Sequence, residues 1–457
     1  MKRPGHVPIV ELQRALHSGE LTARELVERS LELISSNNPT VGALVHVDEN
    51  YARSRAEEID REGFSDPSET LRGLPTADKD LVRRAGMPTR YGSRTREHRP
   101  NDTESDPMAT WVDDVGAVSV GKTATSEFGM AGYTETSLEG VVRNPKNPER
   151  QVGGSSGGAA ATVAAGFFPF APGSDGGGSI RIPALACGVV GWKPSRGFIP
   201  AGSGLESPAG LAVPGLLTRT AADLETMAPQ LRRGSWEWAV AAPATAERAI
   251  DRVGVTTRSP WPKEWGIGPD ERATAAFEHG IHALESAGVD VVELEWQPDE
   301  TYHEHFLTVW AVTAAAIDVD DESLLEPLTR YLRTHAQTIS SVEFSRALAK
   351  LKDFERDTIR AFSAVDAVLT PGLAFAPPPI GFFSEDPEAN FRQQVEFTPW
   401  TSFVNVAGLP AVVLPTPLES DGIARGVQLI GRPGADTAII TLATRLEGLF
   451  GEGLVSA

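Results

Sequence analysis

The sequence predicts an α/β protein, and three observations predict it. Helical and strand-like hydrophobic spacing alternate through the second half of the chain, short apolar runs broken by glycine, serine and proline fill residues 73–200, and an amphipathic helix signature stands near the start. Thr22-Ala23-Arg24-Glu25 reads as a capping box, with Leu26, Val27, Leu31 and Ile34 following at helical spacing. This N-terminal part, residues 1–70, is expected to be a helical shell. Val115 to Val120 and Gly188 to Val190 are the apolar runs of a strand- and turn-rich region.

Glu271 to Gly288 reads as a helix with Phe277, Ile281 and Leu284 inward and Gly288 as its stop, and the strand-like Val289 to Leu294 follows. A second alternation places a helix around Phe344 to Phe362 and a strand at Ala367 to Thr370. Strands at Ala411 to Leu414 and Gly426 to Ile430 and a helix near Asp436 to Leu449 close the chain. No repeat, low-complexity tract or linker divides it, so one domain is expected over 1–457, with 73–223 and 224–457 as successive parts of it.

With 457 residues, 40% hydrophobic and 23% charged, the chain has the balance of a protein that builds its own core. Its 62 acidic against 42 basic residues, a formal charge of -20, argue against nucleic acid or an anionic membrane as partner. Cys187, the single cysteine, cannot form an intramolecular disulfide, and its small neighbours Ala186 and Gly188 suggest a buried packing residue. Pro4, His6 and Pro8 stand where a signal peptide needs an apolar stretch, so the cytoplasm is the expected location. No segment reaches the roughly 18 apolar residues of a membrane span.

Two motif matches fail on context. Gly116-Ala117-Val118-Ser119-Val120-Gly121-Lys122-Thr123 fits a phosphate-binding P-loop, but Ala-Val-Ser-Val prefers a pleated strand to a curled nest, which makes Lys122 a strand-end or surface lysine. Gly153-Gly154-Ser155-Ser156-Gly157 fits a nucleophile elbow, which needs a buried strand before the serine; the preceding Asn144 to Arg150, with Pro145 and Pro148, reads as a loop. The nine histidines make no metal pattern, so no metal is expected.

The chemistry concentrates elsewhere. Gly153-Gly154-Ser155-Ser156-Gly157-Gly158 runs into the helix-like Ala159 to Ala165, and Asp175-Gly176-Gly177-Gly178-Ser179-Ile180-Arg181 follows, so two glycine-rich loops each deliver a serine. Glycines there let backbone N–H groups face a ligand unobstructed, as an oxyanion hole requires.

With Gly73-Leu74-Pro75 before Asp78-Lys79-Asp80, Glu127-Phe128 after the Gly116 to Thr123 segment, Gly191-Trp192-Lys193-Pro194, Gly215 to Asp223, Asn405 to Pro415 and Gly426 to Arg432, the chain resembles the amidase signature family. The resemblance covers most of the chain and is weakest from about Gly234 to Ala364. Ser155 and Ser179 stand 24 positions apart, the separation expected of the family's paired serines.

The resemblance implies a single domain with a central mixed β-sheet covered by helices on both faces. It also implies Ser179 as nucleophile, Ser155 as bridging serine beside a cis peptide, and Lys79 as general base, a relay that needs no metal or organic cofactor. The backbone amides of Gly176, Gly177, Gly178 and Ser179 would form the oxyanion hole, and Asp175 and Arg181 would brace the loop. For Lys79 to accept a proton, burial must bring its pKa from about 10.4 towards 7, and an extended chain would turn Asp78 and Asp80 away from it.

Gly176 departs from the threonine more usual in that loop, and with Lys193-Pro194-Ser195-Arg196-Gly197 it makes the motifs similar to the branch with hydrolases of nylon cyclic oligomers and carbamate-cleaving enzymes. The expected activity is hydrolysis of amide, carbamate or related acyl–nitrogen bonds in small, neutral, apolar or aromatic substrates. The alternative is a glutaminase subunit delivering ammonia within a complex. Met130, Tyr133, Phe375, Phe382, Phe397 and Trp400 are expected to wall the pocket. The expected partner is a small-molecule substrate, with neither nucleic acid nor membrane, and a homodimer is left open.

Overall fold

The computed structural model describes residues 3–66, 68–200, 202, 209–232, 249–417, 423 and 425–450. Residues 234–248, the opening of the weakly matching middle stretch, lie outside them.

An eight-stranded mixed sheet forms the centre. Its strands run Asp290–Glu293, Arg252–Val255, Ala367–Pro371, Gly426–Gly431, Ala411–Pro415, Val190–Lys193, Val213–Thr218 and Phe170–Asp175. The first three pair in parallel and every later pair is antiparallel. Side chains alternate across it as the pleat dictates. Val412 and Leu414 join a core with the helices Glu271–Ser286 and Asp436–Leu449, whereas Ala411 shares a core with Tyr302–Ala315 and Ser341–Phe362. Helices therefore cover both faces, and the α/β expectation holds.

A three-stranded sheet, Leu44–Val47, Val118–Thr123 and Pro75–Lys79, lies beside the Phe170–Asp175 edge. The Thr76 hydroxyl donates to the Phe170 carbonyl at 3.0 Å across that junction. The helix Ala23–Val41 starts at the expected capping box, with Thr22 and Glu25 satisfying each other's backbone amides. At the other expected signal, Gly288 has φ +74° and follows Ala287, the C-cap of the helix Glu271–Ser286.

Two local expectations need correction. Gly116 to Thr123 does contain a strand, Val118–Thr123, but Lys122 on it is fully buried rather than at the surface. Its ammonium donates to the Val82 carbonyl and, at 2.8 Å, to the Thr89 hydroxyl, partners contributed by a distant turn that local sequence does not reveal. The expected loop before Ser155 is a β-hairpin of Arg143–Asn144 and Asn147–Gln151. Pro148 is exposed on it, where no inner ladder bond is asked of it, and Asn144 anchors the hairpin by donating to the Ala186 carbonyl at 2.7 Å. The hairpin stands outside the central sheet. Cys187 is buried as expected, and burial pushes its thiol pKa up. Among the described residues no helix is long and apolar enough to cross a membrane, and no His/Cys/Asp/Glu group could hold a metal ion.

Candidate active site

The strand Pro75–Lys79 carries Lys79 into the junction between the two sheets, fully buried. Its Nζ lies 2.7 Å from Ser155 Oγ, 3.0 Å from Ser174 Oγ and 3.4 Å from the Ser174 carbonyl. Burial brings its pKa down to about 7, partly opposed by the negative charge of Asp175. The flanking carboxylates point elsewhere. Asp78 pairs with Arg84 at 2.5 Å and accepts from Ser119 at 2.7 Å, and Asp80 accepts from the amides of Arg90 and Gly92.

Ser155 follows a cis Gly154–Ser155 peptide bond. The helix Gly157–Ala164 begins two residues later, and its glycines are dictated by packing: a Cβ on Gly157 would run into Thr134, and one on Gly158 into Ala124. Ser179 sits between the strand Phe170–Asp175 and the helix Arg181–Cys187. The two serine loops are tied by the Ser156 amide donating to the Ser179 carbonyl at 3.0 Å. No hydrogen bond among the described residues joins the Ser155 and Ser179 hydroxyls.

Asp175 organises the second loop. Its carboxylate accepts from the amides of Gly178 at 2.7 Å and Ile180 at 3.1 Å, from Arg181 at 2.8 and 2.9 Å, and from Asn405 at 2.9 Å. Burial alone would raise its pKa, but the adjoining Arg181 guanidinium holds the carboxyl well below the usual range. Arg181 donates onward to the Thr401 carbonyl and to the Gln428 side chain. Because the Gly178 N–H is spent on Asp175, it is unavailable to an oxyanion. Gly176, Gly177 and Ser179 amides have no hydrogen-bond partner among the described residues.

A narrow cleft of about 70 Å³ opens at Ser179 and Gly177. Trp261, Phe306, Trp310 and Phe391 line it, with Met130, Ala131, Ile182 and Val395 adding apolar surface. Besides Ser179, four polar side chains reach it, all engaged: Gln394 accepts from the Gly132 amide, Thr398 donates to the Gln394 carbonyl, Thr401 donates to the Gly177 carbonyl, and Ser402 accepts from Tyr302. No charged side chain lines the cleft among the described residues.

Of the six expected wall residues only Met130 is there. Phe397 and Trp400 are core residues, 1% and 0% exposed, the latter donating to the Thr257 carbonyl. Phe375 packs on Phe397, and Phe382 is solvent-exposed against Phe375. Tyr133 stacks on Phe383 and its hydroxyl accepts from Asn390, one residue removed from the wall through the Asn390–Gln394 bond. The residues that do line the cleft had a legible signal, helical spacing. Phe306 and Trp310 are four apart on Tyr302–Ala315, and Phe391, Gln394, Val395 and Thr398 share one face of Pro387–Phe397 and its cap. Ser174, Thr401, Asn405 and Gln428 were also missed as site supports, since nothing local marks them.

The comparisons with known proteins agree with this geometry. The protein-family model named Amidase matches residues 25–440. The chain is 31% identical to the putative amidase AmiC of Mycobacterium bovis over 459 aligned positions, covering 97% of this chain and 94% of that one. It superposes on 6-aminohexanoate cyclic dimer hydrolase complexed with substrate at TM-score 0.87 and 27% identity, covering 98% and 97% of the two chains. A glutamyl-tRNA(Gln) amidotransferase chain from Thermotoga maritima superposes at TM-score 0.76 and 26% identity, covering 98% and 96%. Fold and site thus define an enzyme that hydrolyses amide C–N bonds. The chain belongs to the amidase signature family.

Proposed function

We propose that this enzyme hydrolyses small neutral amides or carbamates bearing apolar or aromatic groups, through an acyl-enzyme on Ser179. Ser179 Oγ bonds to the substrate carbonyl carbon as its proton passes to Ser155, whose own proton passes to Lys79. The amides of Gly176, Gly177 and Ser179 receive the oxyanion. The relay then runs backwards, protonating the leaving nitrogen as the C–N bond breaks. Water attacks the ester with the same relay as base, and the Ser179 C–O bond breaks to release the acid. Binding of substrate closes the Ser155–Ser179 link, since catalytic hydrogen bonds commonly tighten only in the complex.

The observation that carries this reading is the 2.7 Å approach of Lys79 Nζ to Ser155 Oγ, with the ammonium brought down to about 7 by burial. A lysine poised there is half neutral near pH 7, as a base must be. The cleft argues against the glutaminase alternative. Glutamine carries an ammonium and a carboxylate, and a wall with no charged side chain among the described residues offers neither a partner. The deciding experiment compares kcat/KM on matched anilide, carbamate and glutamine substrates, and a higher value for glutamine than for every apolar substrate overturns the proposal.

A further inference from the structure

The polar side chains of the cleft differ in what they leave unused. Thr398 and Thr401 donate their hydroxyl protons to the carbonyls of Gln394 and Gly177, and Gln394 accepts from Gly132 while donating to Asn390. Ser402 only accepts. Its Oγ receives the Tyr302 hydroxyl at 2.9 Å, and its own proton has no acceptor among the described residues.

The direction of that bond follows from burial. Tyr302 is 1% exposed, and among the described residues its phenol has no hydrogen-bond partner besides Ser402. Were Ser402 to donate to it instead, the phenol proton would be stranded in the core, where an unmade bond costs most. With Tyr302 donating, both protons are used once Ser402 meets an acceptor in the cleft. Burial also pushes the Tyr302 pKa up, so the phenol stays protonated and remains a donor.

Ser402 stands against the nucleophile loop. A methyl built on Gly177 would come within 3.9 Å of its Cβ, and the preceding residue, Thr401, holds the Gly177 carbonyl at 2.7 Å. Gly177, Ser179 and Ser402 all line the one cleft. Every substrate of the proposed class carries a carbonyl oxygen that must come to this loop when Ser179 attacks. We infer that Ser402 is a substrate-binding residue whose hydroxyl, held from behind by Tyr302, donates a hydrogen bond to the carbonyl oxygen of the bound amide or carbamate. Tyr302 does not line the cleft, so it is a positioning residue that acts through Ser402. An apolar group of the same shape as the carbonyl leaves the Ser402 proton unpaired and binds less tightly.

The inference rests on the proposed reading of the cleft as the substrate site beside Ser179, and the test separates the two. Binding of acetophenone and of α-methylstyrene, which has the same shape with a methylene in place of the oxygen, is measured by calorimetry in a Ser179→Ala background that cannot add to the ketone. Ser402→Ala should weaken acetophenone about tenfold, corresponding to roughly 1.4 kcal/mol, and leave α-methylstyrene as tight or tighter. With Ser179 intact, Ser402→Ala should lower kcat/KM on benzoyl 4-nitroanilide at least about tenfold. Tyr302→Phe, which keeps the ring, should lower it less, and the variant carrying both changes should be no slower than Ser402→Ala alone. Equal weakening of ketone and alkene marks a structural role and overturns the inference, as does an acetophenone affinity that Ser402→Ala leaves unchanged. Losses that multiply in the double variant overturn the part given to Tyr302. Absence of turnover on every amide, with no acyl adduct on Ser179 from 4-nitrophenyl benzoate, overturns instead the acyl-enzyme reading, and the two ligands still judge Ser402 by binding alone.

Discussion

Lys79 Nζ stands 2.7 Å from Ser155 Oγ, and the charged group that acts on this lysine is Asp175, not its sequence neighbours Asp78 and Asp80. The pKa of this lysine is thus set by burial against one carboxylate that is itself committed to Arg181.

The pH dependence of activity follows. The lysine pKa is lowered to about 7, so its neutral, proton-accepting form grows as pH rises through 7 and is lost below it. In kcat/KM against pH, an acid limb with a midpoint near 7 is expected. Lys79→Ala should lose about 10²–10⁴ in rate and this limb with it. A wild-type profile flat down to about pH 5 would remove Lys79 from the role of base. The same depression makes the folded state bind fewer protons than the unfolded between pH 7 and 10.5, so this group's contribution to stability rises with pH across that window.

Ser179→Ala should abolish turnover and shift stability by no more than about 0.5 kcal/mol, because it removes one hydroxyl from a loop rather than core volume. Intact-protein mass after exposure to an activated ester should show an acyl adduct on the wild type and none on the variant. Retention of a sizeable fraction of turnover would rule out this nucleophile.

Asp175 and Arg181 are both 0% exposed and pair at 2.8 Å. Removing one partner strands the other's charge, so Arg181→Met should lower stability by about 3–5 kcal/mol. Denaturant unfolding checks this. The Asp175 carboxyl is held below its ordinary 3.8, so the stability it contributes is present above about pH 4 and lost as pH falls further.

The nucleophile loop should respond unequally to alanine. Gly178 has φ +131° and a Cβ there would come within 2.6 Å of Thr401 Oγ1, so Gly178→Ala should cost at least about 1–3 kcal/mol and displace the loop. At Gly177 the nearest atom would be 3.8 Å away, so Gly177→Ala should melt within a few degrees of wild type. Equal melting temperatures for the two variants would contradict this.

What the sequence made legible was local. The Thr22–Glu25 box, the Gly288 stop and the two serine loops each carry their signal within a few residues. Lys122 does stand at a strand end, but its burial was not legible because the Val82 and Thr89 oxygens that receive its ammonium lie over thirty residues away. The wall failed for a related reason. Aromatic density picked out Phe397 and Trp400, which the fold turned into the core, whereas the cleft took Phe306 and Trp310 from a helix where spacing, not density, was the clue.

The sheet order has a consequence for how the enzyme is made. Gly426–Gly431, the last strand among the described residues, lies inside the sheet between Ala367–Pro371 and Ala411–Pro415, and it brings Gln428 to Arg181. A nascent or truncated chain ending before this strand therefore exposes two facing, unpaired edges and leaves the nucleophile loop without its last brace. Turnover accordingly reports that the chain has been threaded into place as far as this strand, and proteolytic fragments lacking it should accumulate as aggregates rather than as partly active enzyme.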